Sequence, residues 1–284
     1  MSNDTIRRIT VTVAGLLCAF GTAVGTGLIG TRVEESAGGS LSDEATLIAP
    51  AGPAFSIWSV IYLGLAGYVI WQWLPANATD SRARATGWLA AASMVLNAAW
   101  LLVTQQGWLW ASVAVIVVLA LVLKAIAEQL SLHPARGWGD RIVGDGTFGL
   151  YLGWVAVATC ANIAATLVAS GLPATGTGPE IVTVVLLLVV LALGWFYSRR
   201  YPNAVRWPVA AAMTWGVAWI AYGRLGEEPS STTVGLSAAA VAIALAIGAA
   251  FMTAVHRVGS SGGSGGSGGS TGTGSNAQSR ARTA

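Results

Sequence analysis

The stretch GPAFSIWSVIYLGLAGYVIWQW, Gly52 to Trp73, decides the fold. It carries no charged residue, and it is long enough to cross the roughly 30 Å of bilayer hydrocarbon, which takes about 20 helical residues. Three tryptophans and two tyrosines lie within it. Rings with a polar edge normally sit where a membrane meets water. Trp58 and Tyr62 lie deeper, where an indole N–H and a phenol O–H need partners that hydrocarbon does not offer. Such a helix faces other helices or a ligand rather than lipid alone.

The rest of the chain has the same character. Its 284 residues are 54% hydrophobic and only 10% charged, against about a quarter charged in soluble domains. The fold class is all-α, a polytopic membrane helix bundle. Apolar runs near 9–30, 54–75, 87–105, 108–130, 147–170, 179–198, 206–223 and 235–255 predict eight crossings. The narrowest break is TQQGW, Thr104 to Trp108, read as a tight turn at Gln105–Gly107. Basic residues concentrate on the cytoplasmic side of membrane proteins. With the N-terminus inside, only Arg32 and Arg224 of the 15 Lys and Arg residues fall outside. Both termini are therefore expected in the cytoplasm, and the chain in the cell membrane. The run after Arg7 and Arg8 is longer than a signal-peptide core and is read as a retained first helix. The acids of the first outer loop (Glu34, Glu35, Asp43, Glu44) are read as solvating it.

The polar inventory excludes several functions. The central thirds of the helices hold no charge, which weighs against a proton-coupled transporter. Lys124 and Glu128 form an i,i+4 pair at a helix end, read as a snorkelling surface pair. Cys18 and Cys160 are isolated in apolar runs and are read as small hydrophobes. His133 and His256 fall at helix ends or in loops. No catalytic set, metal-ligand spacing or phosphate loop is visible, and a net charge of +3 does not suggest nucleic acid. What remains is aromatic and amide chemistry. Asn97 and Trp100 lie one turn apart on the third helix. On the fifth, Tyr151, Ala158 and Asn162 fall within about 20° of one line, with Trp154 about 60° aside. Trp58 and Tyr62 form the matching stripe on the second. These stripes suit either helix-to-helix adhesion or a cleft for a large, flat, mostly apolar ligand. Gly21/Gly25 and Gly149/Gly153 form two G-x-x-x-G patterns, read as close helix packing.

Taken together these residues resemble the tryptophan-rich sensory protein family, also called translocator protein or TspO/MBR. Its second helix carries Pro-Pro, an aromatic, W-x-x-x-Y and a later Trp. Pro50, Trp58, Tyr62 and Trp73 occupy that spacing, with Ala49 in place of the first Pro and Phe55 one place out of step. Its third-helix L-N-x-x-W matches Leu96, Asn97 and Trp100. Its fifth-helix Y-L-x-W-x-x-x-A-x-x-x-N matches Tyr151, Leu152, Trp154, Ala158 and Asn162. The family's lysine-proline-tryptophan approach to the second helix is replaced by ATLIAPAGP. The resemblance covers roughly residues 9 to 171.

The resemblance implies a five-helix core with a pocket for porphyrins, and in some members for sterol-like lipids. In that family the tryptophans matching Trp58 and Trp154 line the pocket and take part in light-dependent porphyrin breakdown. Ala158 matches a small residue that leaves space in the pocket wall. The expected organisation is a TspO-like core at 1–171, a further three-helix transmembrane region at 172–257 and a Gly/Ser-rich tail at 258–284. Trp215 and Trp219 in the further region suit a second half-site or, more simply, an aromatic helix packed on the bundle. The expected ligand site is Trp58, Tyr62, Asn97, Trp100, Tyr151, Trp154, Ala158 and Asn162, with no catalytic or metal-binding residue. A porphyrin or haem-type ligand and membrane lipid are the expected partners, and a homodimer is left open. The alternatives are a transporter or facilitator of a small hydrophobic molecule and a ligand-free regulatory subunit.

Overall fold

The computed structural model describes residues 2–262, with side chains through residue 255. The side chain of His256 and the tail beyond Gly262 lie outside the described residues. Eight long helices, and no strand, occur among the described residues: α1 (Asn3–Gly25), α2 (Ile57–Trp73), α3 (Ser81–Gln105), α4 (Leu109–Leu132), α5 (Thr147–Ala169), α6 (Thr177–Arg200), α7 (Asn203–Gly226) and α8 (Thr232–Gly262). The last runs past residue 257 into the start of the segment read as tail.

Local chemistry sets the helix ends. Ser2 caps α1 by accepting from the Thr5 N–H, and Asp80 caps α3 by accepting from the N–H groups of Arg82 and Ala83, so each occupies donors that a helix start leaves unpaired. The α3–α4 turn falls where Gln105–Gly107 predicts it. Gly107 sits there at φ +68°, a left-handed conformation open to glycine at no steric cost.

Among the described residues, seven helices are long and apolar enough to cross a membrane. The exception is α7, whose 24 residues include Arg206, Arg224, Pro208 and several Trp and Gly. It packs against α5, α6 and α8, so much of its surface meets protein and need not be lipid-soluble. Helical structure also begins before α5, at Trp138, and reaches it through a π-turn at Arg141–Gly146. Arg141 and Asp145 break the apolar pattern there, which hides the extension from hydropathy. The exterior is apolar, with Leu16, Leu63, Leu121, Leu188 and Leu236 all exposed, as a lipid-facing surface requires.

Helices α1, α2, α5, α4 and α3 touch in that cyclic order and close a five-helix ring. Helices α6, α7 and α8 form a second group, joined to the ring mainly by α7 against α5. Both G-x-x-x-G patterns act as close-packing surfaces. An added Cβ at Gly21 would stand 2.9 Å from the Ala98 backbone, so this face of α1 rides directly on α3. On α5, Gly149 faces Pro208 at 2.8 Å and Gly153 faces the Val209 carbonyl, which makes this pair the seam between ring and second group.

One end of the bundle is basic and holds Arg7, Arg82, Arg84, Arg136 and Arg206. The other is covered by the segment 26–51, termed the lid below. Among the described residues the buried arginines are Arg7, Arg82, Arg206 and Arg224, all near helix ends. Lys124 and Glu128 pair at 2.7 Å, each about a third exposed. Cys18 and Cys160 are free and buried.

Candidate ligand site

The i,i+4 spacing of Trp58 and Tyr62 stacks their rings on one face of α2, centroids 5.2 Å apart and planes at 16°. The face of α5 opposite carries Tyr151, Trp154, Ala158 and Asn162. Trp58 meets Tyr151 and Trp154 edge-on at 5.7 and 6.2 Å. Phe55, in the 3-10 turn Gly52–Ser56 that leads into α2, closes the cluster edge-on against Trp154 at 5.8 Å. Edge contacts set ring rims against ring faces, the arrangement the aromatic quadrupole favours.

Helix α3 supplies the polar partners. Tyr62 Oη donates to Asn97 Oδ1 at 3.3 Å, and Asn97 Nδ2 donates to Tyr151 Oη at 2.8 Å. One amide thus ties α2 to α5 through α3. One turn on, Trp100 Nε1 donates to Asn162 Oδ1 at 2.7 Å, and Asn162 Nδ2 donates to Ser112 Oγ on α4 at 2.9 Å. These bonds answer the question raised by the deep tyrosine: its hydroxyl is paired inside the ring. Trp154 differs. It is 2% exposed, and its Nε1 has no hydrogen-bond partner. A buried donor left unpaired costs about 1–3 kcal/mol unless something else accepts from it.

All eight residues expected at the site are brought into one region. Trp73 is not part of it. It lies at the basic end, where its Nε1 donates to Thr12 and Arg8 stacks over its ring at 4.9 Å. Phe55 and Ser112 join the site from outside the motif positions. Phe55 is one place out of step with the family motif, and the signal for Ser112 is that it is a lone polar residue near the start of an apolar helix.

Three spaces adjoin the rings. A cavity of ≈ 300 Å³ lies between α1, α2 and the start of the lid, lined by Thr22, Arg32, Val33, Trp58, Tyr62 and Trp100 among others. Smaller ones of ≈ 60 and ≈ 40 Å³ lie beneath the lid and between the rings, and Ala158 borders both. Outside, a groove of ≈ 470 Å³ between α1 and α2 shares Thr22 and Tyr62 with the ≈ 300 Å³ cavity, so the two spaces adjoin.

Helix α7 holds one side of the lid. Arg224, 1% exposed, donates to the carbonyls of Asp43 and Thr46 at 3.0 and 3.2 Å. Trp215 Nε1 donates to the Ala54 carbonyl at 2.9 Å, and the Ala51 N–H donates to the Trp219 carbonyl at 3.3 Å. Trp215 and Trp219 meet edge-on at 5.6 Å as part of this anchorage. Asp43 does more than solvate its loop, because its Oδ2 accepts from the Gly52 N–H at 3.0 Å.

The profile of the family described as TSPO-like protein matches residues 10–251. The match continues beyond residue 171, where the resemblance was expected to end, and takes in the second helical group as well. No curated protein and no solved structure matches the chain. With a matched region covering most of the sequence and an all-helical membrane bundle around an aromatic cluster, the chain belongs to the TSPO-like protein family.

Proposed function

We propose that this membrane protein binds a flat, largely apolar ring ligand of the porphyrin type in the aromatic cluster, as a receptor or sensor. The observation that carries the reading is the packing of Phe55, Trp58, Tyr62, Tyr151 and Trp154 into one aromatic cluster bordered by cavities, with no partner for the Trp154 N–H among the described residues. Rings offer stacking area, and the spare donor offers one oriented hydrogen bond to an acceptor on the ligand. The ≈ 300 Å³ cavity is at the lower end of ligand pockets, which span about 300–1,000 Å³. A tetrapyrrole therefore inserts one edge among the rings and leaves the other in the α1–α2 groove, reaching the site from the membrane.

The test is a titration of the purified full chain with protoporphyrin, following tryptophan fluorescence and the Soret band. Saturable quenching with a shifted Soret band is expected. Ala158→Leu should lower the affinity by tenfold or more, because the added methyl groups enter the two small cavities that Ala158 borders. Binding that does not saturate, or that ignores Ala158→Leu, refutes the reading. Flux of a hydrophobic solute through liposomes without such binding would favour a facilitator instead.

The same reading places the basic end in the cytoplasm and the lid outside the cell membrane, following the distribution of arginines. A cysteine introduced at Ser40 should label from outside in intact cells and one at Ser81 should not. The reverse pattern would invert the orientation.

A further inference from the structure

A space larger than those at the aromatic site lies elsewhere among the described residues. A groove of ≈ 870 Å³ runs along the seam between the ring and the second helical group, bounded by α2, α5 and α7. It exists because α7 docks on the glycine face of α5 and leaves α2 uncovered beside it. Its floor is flattened by Gly67 and Gly146, which carry no side chains to fill it, while Gly64 lets α2 pack closely on Thr147 beside it. Its deep part is walled by Val60, Leu63, Leu150 and Pro208, with Leu63 76% exposed.

The groove changes character at the basic end of the bundle. There it is bordered by Trp138, Arg141, Asn203 and Trp207. Arg141 lies over the Trp138 ring at 5.6 Å. The carboxylates on either side of it in sequence are engaged elsewhere, Asp140 by Arg136 at 2.9 Å and Asp145 by Arg82 at 2.6 Å. Among the described residues no carboxylate stands within ion-pair distance of Arg141. A guanidinium that Asp145 reaches only through longer-range electrostatics, with Trp138 beneath it and Trp207 on the same border of the groove, adjoins a concave apolar wall.

We propose that this groove is a site for an anionic phospholipid, with the phosphate on Arg141 between Trp138 and Trp207 and one acyl chain along the glycine floor toward Leu150. Basic pockets between transmembrane helices take anionic headgroups in this way, and indoles settle at headgroup depth. Charge complementarity at one end and a lipid-facing apolar channel at the other together select an amphiphile. A soluble anion would use only the first feature, and an apolar helix only the second. The lipid fills the seam, so it joins the two helical groups as well as occupying a surface.

Native mass spectrometry of the full chain, released from detergent holding equal amounts of phosphatidylglycerol and phosphatidylcholine with identical acyl chains, tests the assignment. Phosphatidylglycerol should be retained about fivefold over phosphatidylcholine, the increment that one basic residue supplies near an anionic surface. Arg141→Gln should remove the preference while leaving weak retention of both lipids. Gly67→Leu should reduce retention of both, because its Cβ is accommodated at 3.7 Å from Val143 and the rest of the side chain projects into the channel. Equal retention of the two lipids, or a preference that survives Arg141→Gln, overturns the proposal. So does displacement of the lipid by millimolar inorganic phosphate alone, which would mark an anion site without a lipid. A dimer peak abolished by Gly67→Leu would show instead that a second copy occupies the groove.

Discussion

The two ends of the bundle are held together by different chemistry. At the basic end the contacts are ionic. Asp4 bridges Arg7 and Arg84 at 2.8 and 2.6 Å, Arg82 meets Asp145 at 2.6 Å, and Arg136 pairs with Asp80 and Asp140 at 3.0 and 2.9 Å. Asp140 also accepts from Trp71 Nε1, which links α2 to this cluster. Hydrogen bonding to Asp140 raises Arg136 above its ordinary value. Toward the lid the contacts within the ring are neutral: amides, hydroxyls and one indole, with three cavities among them. Breaking a buried ion pair strands a charge in a medium of low dielectric constant, whereas exchanging one neutral hydrogen bond for another, or for one to a ligand, costs little. The difference separates two tasks. The basic end keeps the five helices in register, and the neutral contacts toward the lid are the ones that the proposed ligand could exchange at low cost.

That division is broken most severely at Arg82. The side chain is 3% exposed and reaches Asp145 and the carbonyls of Leu130 and His133. An added Cβ at Gly144 would sit 2.7 Å from its Nη2, so the π-turn accommodates the guanidinium only because that position has no side chain. Arg82→Met removes one partner of a buried pair and should destabilise the protein by about 3–5 kcal/mol. A large fall in thermal midpoint in detergent is expected. Arg82→Met with Asp145→Leu should recover part of the loss, since no carboxylate then remains unpaired. A single variant as stable as the parent would show that the basic end is not what fixes the helices.

Much of this organisation is legible in the sequence, for a physical reason. Helical periodicity converts spacing directly into a shared face, so Trp58 with Tyr62, and Tyr151 with Ala158 and Asn162, can be placed together before any coordinates. Uninterrupted apolar runs likewise mark the helices that meet lipid. Contacts that depend on how helices dock carry no such local signature. Arg224 reads as one of two outer charges, and only the docking of α7 turns it inward onto the lid carbonyls. Asp43 reads as a solvating acid because its partner, the Gly52 N–H, is a backbone group. The π-turn before α5 is masked because its polar residues, Arg141 and Asp145, look like the end of a hydrophobic segment when one of them is in fact buried in a pair.

The finest test of the comparison lies inside the aromatic site, between two tryptophans that look alike in sequence. Trp100 donates its N–H to Asn162, whereas Trp154 has no protein partner for its own. Phenylalanine at either position keeps much of the volume and removes the donor. Trp100→Phe therefore loses a hydrogen bond inside the membrane bundle, a contact averaging about 0.6 kcal/mol in such settings, and its stability should fall below that of Trp154→Phe by about that amount. Porphyrin affinity should respond in the opposite order. Trp154→Phe removes ring area and the spare donor at the face of Phe55 and Trp58, and should weaken binding by roughly 0.5–1.5 kcal/mol, up to about tenfold. Trp195→Phe, on α6 and 40% exposed, serves as the control that should change neither. If Trp154→Phe and Trp100→Phe lose stability and affinity in parallel, the unpaired indole is a packing feature of the ring, and the lid end is no more prepared for a guest than the basic end.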